Sequence, residues 1–216
     1  GGEPPAAPPK TSGVVKGAQK GSPASAPAKK VSPPTPAAQA PKASPCSFAV
    51  GGNFSREVIL NEVAWMGSVP RGAETATEGG NNEWIELKNT SSQTIDLSGW
   101  QIASEDGGLF VALKEGSNIL PGKFFVLERT NDDTVPGVAA DAIYTGALSN
   151  AGERLRIFNQ RCGLVDEVDA RTGWLAGENG TKQTMERNRN DLSWHTSELA
   201  GGTPNLENSG PYDDAQ

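Results

Sequence analysis

Val58-Ile59-Leu60-Asn61-Glu62-Val63-Ala64-Trp65, Asn82-Glu83-Trp84-Ile85-Glu86-Leu87-Lys88-Asn89 and Asp96-Leu97-Ser98-Gly99-Trp100-Gln101-Ile102 are the stretches that reveal the fold class. Each alternates apolar and polar residues over a few positions, and Gly, Asn and Ser clusters separate them. That is the pattern of half-buried antiparallel strands. The first predicted strand, 57–66, carries one apolar stripe on Ile59, Val63 and Trp65 and another on Val58, Leu60, Ala64 and Met66. Apolar residues on both faces suit an inner strand or one that changes sheets. A long polar loop, 67–82, follows. The second strand, 83–89, turns Ile85 and Leu87 inward and Trp84, Glu86 and Lys88 the other way. The third, about 93–103, has a bulge or kink at Ser98-Gly99.

Further strands are predicted at 109–113, at 123–128 after the Pro121-Gly122 turn, at 142–144, at 155–158 and at 164–168. The last two form a hairpin around 159–163. Seven to eight short strands with frequent turn signals fit a sandwich. Helix formers concentrate only in 181–189. The segment 170–208 reads as an irregular extension pinned by Trp174, Leu175, Met185 and Trp194, placed to cover a sheet edge or one end of the sandwich. From Gly201 onwards the composition is that of a linker.

Residues 1–45 hold eleven of the sixteen prolines, no aromatic residue, and six lysines against the single acid Glu3. Such a segment cannot bury enough apolar surface to offset its ordering entropy, so it is expected to be a disordered, partly polyproline linker. Its charge of +5 leaves −12 on residues 46–216, out of −7 for the whole chain. All five tryptophans and all six phenylalanines lie in that second part, which has the size of one domain. The expected organisation is a linker at 1–45, one folded domain at 46–208 with core strands at about 57–168, and a linker or tail at 209–216. The acidic balance argues against a phosphate-binding face, since nucleic-acid domains present a basic patch. No apolar run is long enough to span a membrane. The opening Gly1-Gly2 points to a fragment or a processed piece.

In order, I/L-N-E-V at the first strand, E-W-I-E-L-x-N at Glu83–Asn89 and L-S-G-W-x-I at Leu97–Ile102 resemble the lamin-tail domain. Leu120-Pro121-Gly122 before an apolar strand agrees. So does the tail Trp174-Leu-Ala-Gly-Glu-Asn followed by Lys182–Arg187, which is similar to that of the bacterial members. The resemblance covers about 57–168, with the tail to about 205. It implies an all-β, immunoglobulin-like β-sandwich that binds or spaces rather than catalyses. No heptad rod precedes the domain here, so nuclear-lamina roles do not transfer.

The candidate sites are few. Cys46 and Cys162 allow one pairing, which in an oxidising compartment would staple the start of the domain to a turn between two late strands. The alternative is two unrelated thiols. One histidine, His195, is too little for a Ser-His-Asp set or, with two cysteines, for structural zinc, and it is expected at a surface or packed edge. The carboxylate pairs Glu83 with Glu86, Asp132 with Asp133, and Asp166 with Glu167 and Asp169 read as solvated charges. Glu62 and Glu86 converge if their strands pair, and Asn131-Asp132-Asp133-Thr134 with Asp141 is a second oxygen-rich candidate. Either would suit Ca²⁺, while pairing with Arg129, Lys88 or backbone groups is the structural alternative. Trp84, facing away from Ile85 and Leu87, is the candidate binding aromatic, unless the C-terminal extension covers it. Asn53, Asn89 and Asn179 head chance-level glycosylation triplets.

The functional expectation is a non-enzymatic extracellular or cell-surface interaction or spacer module of a larger bacterial protein. No cofactor is expected, and the expected partner is a protein or a cell-envelope component. One alternative is an accessory domain that positions DNA for a secreted nuclease or a DNA-uptake protein. The other is a carbohydrate-binding sandwich, which needs coplanar exposed tryptophans.

Overall fold

The computed structural model describes Gly2, residues 44–49 and residues 51–210. The chain divides into units 1–40 and 41–216, and every described strand and helix belongs to the second. The expected linker therefore lies outside the described residues except for Gly2, Ser44 and Pro45, and the expected tail does so beyond residue 210.

In chain order the elements are β1 (Val58–Ala64), α1 (Ala76–Gly80), β2 (Trp84–Asn89), β3 (Ile95–Asp96), β4 (Gln101–Ser104), β5 (Phe110–Ala112), β6 (Asn118–Ile119), β7 (Phe124–Arg129), β8 (Ala142–Tyr144), β9 (Arg154–Phe158), β10 (Leu164–Asp169), β11 (Gln183–Arg187) and β12 (Trp194–Ala200). A six-stranded sheet runs β12-β11-β1-β2-β7-β8, a four-stranded sheet runs β10-β9-β4-β5, and β3 pairs with β6. All pairings are antiparallel except β7 with β8. The result is an immunoglobulin-like sandwich with its main core between the two larger sheets.

The inward row of β1 is Val58, Leu60, Val63 and Trp65, which mixes the two stripes read from the sequence. The register shifts between Leu60 and Glu62. One extra residue, Asn61, bulges there and moves the alternation by one position. The inward face of β2 is as expected, with Ile85 and Leu87 in the core beside Leu127 and Met185. The predicted third strand splits into β3 and β4, and Gly99 sits at the break with φ of +72°, a conformation glycine adopts without strain.

One expectation is corrected. The extension 170–208 is not irregular, because β11 and β12 add two strands to the large sheet beside β1. The helix formers of 181–189 lie in β11, where Thr184, Met185 and Glu186 are all fully buried. Trp174 stacks on Trp65 at 6.0 Å between ring centroids, and Trp65 Nε1 donates to Ala176 O. Trp194 packs on the core edge, whereas Leu175 is exposed and pins nothing. A helical turn, α1, sits inside the polar loop and is closed by a Thr75–Glu78 capping box.

Cys46 and Cys162 form a disulfide with Cα atoms 5.4 Å apart. It fastens the incoming segment to the turn between β9 and β10. Cys46, Phe158 and Leu164 make a small second core there, flanked by Phe48 and Phe54.

Candidate functional site

The outward face of the large sheet is where the structure departs most from a half-solvated sandwich. It is covered at both ends, by different segments. At one end Trp84 packs with Ala64, Val126 and Val135, with Val138 alongside, and is 3 % exposed. The cover is the loop after β7, not the C-terminal extension. Trp84 is thus withdrawn from the surface, and Trp65 and Trp100 are buried as well. The stacking platform a sugar site needs is not formed by these three rings.

At the other end a row of carboxylates crosses the sheet. Glu62 on β1 stands opposite Glu86 on β2 and opposite Glu186 on β11, and Glu186 stands opposite His195 on β12. Glu62, Glu86 and Glu186 are all fully buried. Sequence reasoning brought Glu62 and Glu86 together correctly but missed Glu186, the role of His195, and the cover. That cover is the segment 202–209, a strap that the sequence reads as linker but in which Thr203 and Asn208 are buried.

The strap supplies hydrogen-bond donors to each carboxylate. Thr203 N donates to Glu62 Oε1 at 3.0 Å, and the Thr203 hydroxyl lies 3.1 Å from Glu62 Oε2 and 2.9 Å from Glu186 Oε1. Asn205 N donates to Glu86 Oε2 at 2.5 Å. Ser209 N and Oγ donate to Glu186 Oε2 at 2.8 and 2.7 Å. Asn208 and Asn61 interlock side chain to side chain, and Asn61 Nδ2 also donates to Glu86 Oε1 at 2.8 Å. From below, Thr184 Oγ1 donates to Glu62 Oε1. His195 Nε2 reaches Ser209 O at 2.7 Å and Glu186 Oε2 at 3.2 Å. Gly202 has φ of +74°, and a Cβ there would run into Glu62 Oε1 and Thr184 Oγ1. Only glycine lets the strap come this close.

Burial dominates the electrostatics of the row. It pushes the Glu62 carboxyl well up, helped by the neighbouring charges of Glu186 and Glu86 and opposed by the Thr184 and Thr203 hydrogen bonds. It raises Glu86 to about 8, against the pull of Asn205, Asn61 and Lys88. Like charges directly opposite on neighbouring strands are unfavourable, so a proton in the row is the natural relief.

The other candidates do not join this row. Asp132 Oδ1 accepts from Ala140 N, Asp141 Oδ2 accepts from Val126 N, and the main-chain oxygen of Asp133 accepts from Arg71. Among the described residues no group of three or more His, Cys, Asp or Glu side chains is arranged to hold a metal ion. Glu83, Glu86 and Asp166 are buried, which corrects their reading as solvated charges. Glu83 pairs with Arg129 at 3.0 Å, yet burial still lifts it to about 7. Asp166 pairs with Arg187 at 3.0 Å. Asn89 is fully buried and donates to Ile119 O, so its glycosylation triplet is inaccessible in the fold.

The site is therefore a carboxylate row that recognises backbone N–H and hydroxyl donors, filled by the chain's own strap. The fold that carries it is a disulfide-stapled, immunoglobulin-like β-sandwich. Residues 55–172, more than half of the chain, match the Lamin Tail Domain, and the chain belongs to that family. The family is immunoglobulin-like and non-catalytic, and its domains often mediate protein interactions. No curated protein matches the chain. The β11–β12 extension and the strap lie beyond the matched residues. No helix among the described residues is long and apolar enough to cross a membrane.

Proposed function

We propose that this domain is an interaction and spacer module of an exported bacterial protein, displayed outside the cytoplasm towards a protein or cell-envelope partner. The observation that carries this reading is the Cys46–Cys162 bond at the start of the domain, since such bonds persist in oxidising compartments. Family membership supports the interaction part. The acidic balance of residues 46–216 favours a partner other than nucleic acid.

The test is differential alkylation of the full chain in the cells that make it, with fractionation. Intact cells are treated with an impermeant thiol reagent and with protease before lysis. Both cysteines bonded, and the domain cleaved from outside, is the expected result. Two free thiols on a protease-resistant cytoplasmic chain would overturn the proposal.

A further inference from the structure

The Thr203 hydroxyl carries one hydrogen but stands within hydrogen-bond distance of two carboxylate oxygens, Glu62 Oε2 and Glu186 Oε1. A chain of three oxygens joined by two contacts needs two hydrogens. With both carboxylates ionised, one contact holds two oxygens and no proton, and it is repulsive in a site removed from water. The remaining donors cannot fill the gap. Thr184 Oγ1 serves Glu62 Oε1, Thr203 N is shared between Glu62 Oε1 at 3.0 Å and Oε2 at 3.3 Å, and Ser209 N and Oγ serve Glu186 Oε2, so none of them places a hydrogen between the Thr203 hydroxyl oxygen and a carboxylate. We infer that residues 203–209 form a proton-held latch, which stays docked on the sheet while one carboxyl of the Glu62–Glu186 pair is protonated and lifts when both are ionised.

The charges around the row agree with that assignment. Facing Glu62 are Glu86 from β2, Glu186 from its own neighbour β11 and, one strand further, His195 from β12. The cations nearby are engaged elsewhere. Lys88 and Arg189 bind Glu207 of the strap at 2.6 and 2.8 Å, and Arg187 binds Asp166 on β10. His195 keeps its Nε2 hydrogen on Ser209 O, which can only accept. Burial raises Glu62 and Glu86 above their ordinary range, so the protonated form belongs to the docked state. Docking is then complete at low pH and weakens as pH rises. Opening would uncover three carboxylates and the β12 edge, whose Glu198 N–H is now capped by Ser209 Oγ.

The experiment is amide hydrogen exchange of the full chain between pH 5.5 and 9.5, with rates divided by the intrinsic rate at each pH. The reporters are the amides of Thr203, Asn205 and Ser209. A latch released by loss of one proton predicts protection that falls about tenfold per pH unit above its midpoint. The core amides of Ile85 and Leu127 should not follow. Glu62→Gln places a permanent N–H donor towards the Thr203 hydroxyl, so its strap should stay protected with no such slope. Glu186→Gln does the same from the other side and decides the matter should the first variant not fold. Flat protection of the wild-type strap, or a slope in the glutamine variant equal to that of the wild type, would overturn the inference.

Discussion

Replacing Arg187 by Met should unfasten the extension from the sandwich. Arg187 is 8 % exposed, and Asp166 is 1 % exposed. The guanidinium joins Asp166 at 3.0 Å, Leu60 O and Glu167 O at 3.1 Å, and Leu192 O at 2.5 Å, and it lies 4.0 Å from the Trp194 ring centroid. It thus ties β11 to β1 and β12 in the large sheet and to β10 in the small one. Methionine fills most of the space but leaves Asp166 with the backbone N–H groups of Leu60 and Glu167 and the half-exposed Arg56, 3.6 Å away. A buried pair broken on one side costs about 3–5 kcal/mol. In urea, at a slope of roughly 2 kcal/mol per molar, the midpoint should fall by about 2 M. Burial already raises the Asp166 carboxyl, and Arg187 is the largest influence holding it down. Without Arg187 it rises further, so the deficit is largest at neutral pH and shrinks as the pH drops and Asp166 is protonated. Asp166→Asn combined with Arg187→Met keeps the acceptor for Leu60 N and removes the charge, and should recover most of the loss. A single variant within about 1 kcal/mol of wild type at pH 7, or a double variant no better than the single one, would mean that Arg187 is not the fastener.

The remaining predictions concern the staple, the covered face and pH. Cys46→Ser with Cys162→Ser releases a loop closed across 116 positions, and should cost about 4–5 kcal/mol in equilibrium unfolding by the chain-entropy relation. A cost under about 1 kcal/mol would mean that the unfolded chain does not gain that freedom. Trp84→Ala should cost about 3–5 kcal/mol, as for a ring sealed in a core, and a change near zero would return that ring to the surface. Glu83 and Glu86 are raised to about 7 and about 8 from an ordinary 4.5. Groups raised in the fold contribute fully below their unfolded value and lose that contribution as pH climbs through the folded one. The urea midpoint should therefore be lower at pH 8.5 than at pH 5.5, and the opposite order would contradict the burial of these two side chains.

The central strands were legible because their apolar alternation is their core face. Ile85 with Leu87 announce themselves at period two, and Phe124-Phe125-Val126-Leu127 as a short apolar run after a turn signal. The bulge at Asn61 was not, since an inserted residue looks the same as two apolar stripes. The extension was harder for a physical reason. Its outward residues are polar because Glu186 bonds the strap and Thr184 donates to Glu62, and a strand with one buried apolar residue, Met185, resembles a solvated helix former. The strap itself reads as linker because its glycines and polar side chains find their partners only in Glu62, Glu86 and Glu186, over a hundred residues away for the first two. Gly201-Gly202-Thr203-Pro204-Asn205 was the visible signal. A glycine there marks close backbone approach as readily as flexibility. Trp84 shows the same limit, since the face was right and the cover was not.

Whether the folded part engages a protein or envelope partner is decided by affinity capture. The full chain is immobilised with its disulfide intact and exposed to a cell-envelope fraction, with nuclease and with EDTA in separate arms. Saturable retention of a protein or glycan that survives nuclease, and is competed by free domain, is the predicted result. Retention that vanishes with nuclease would contradict it in favour of DNA, and an empty lane would contradict it outright.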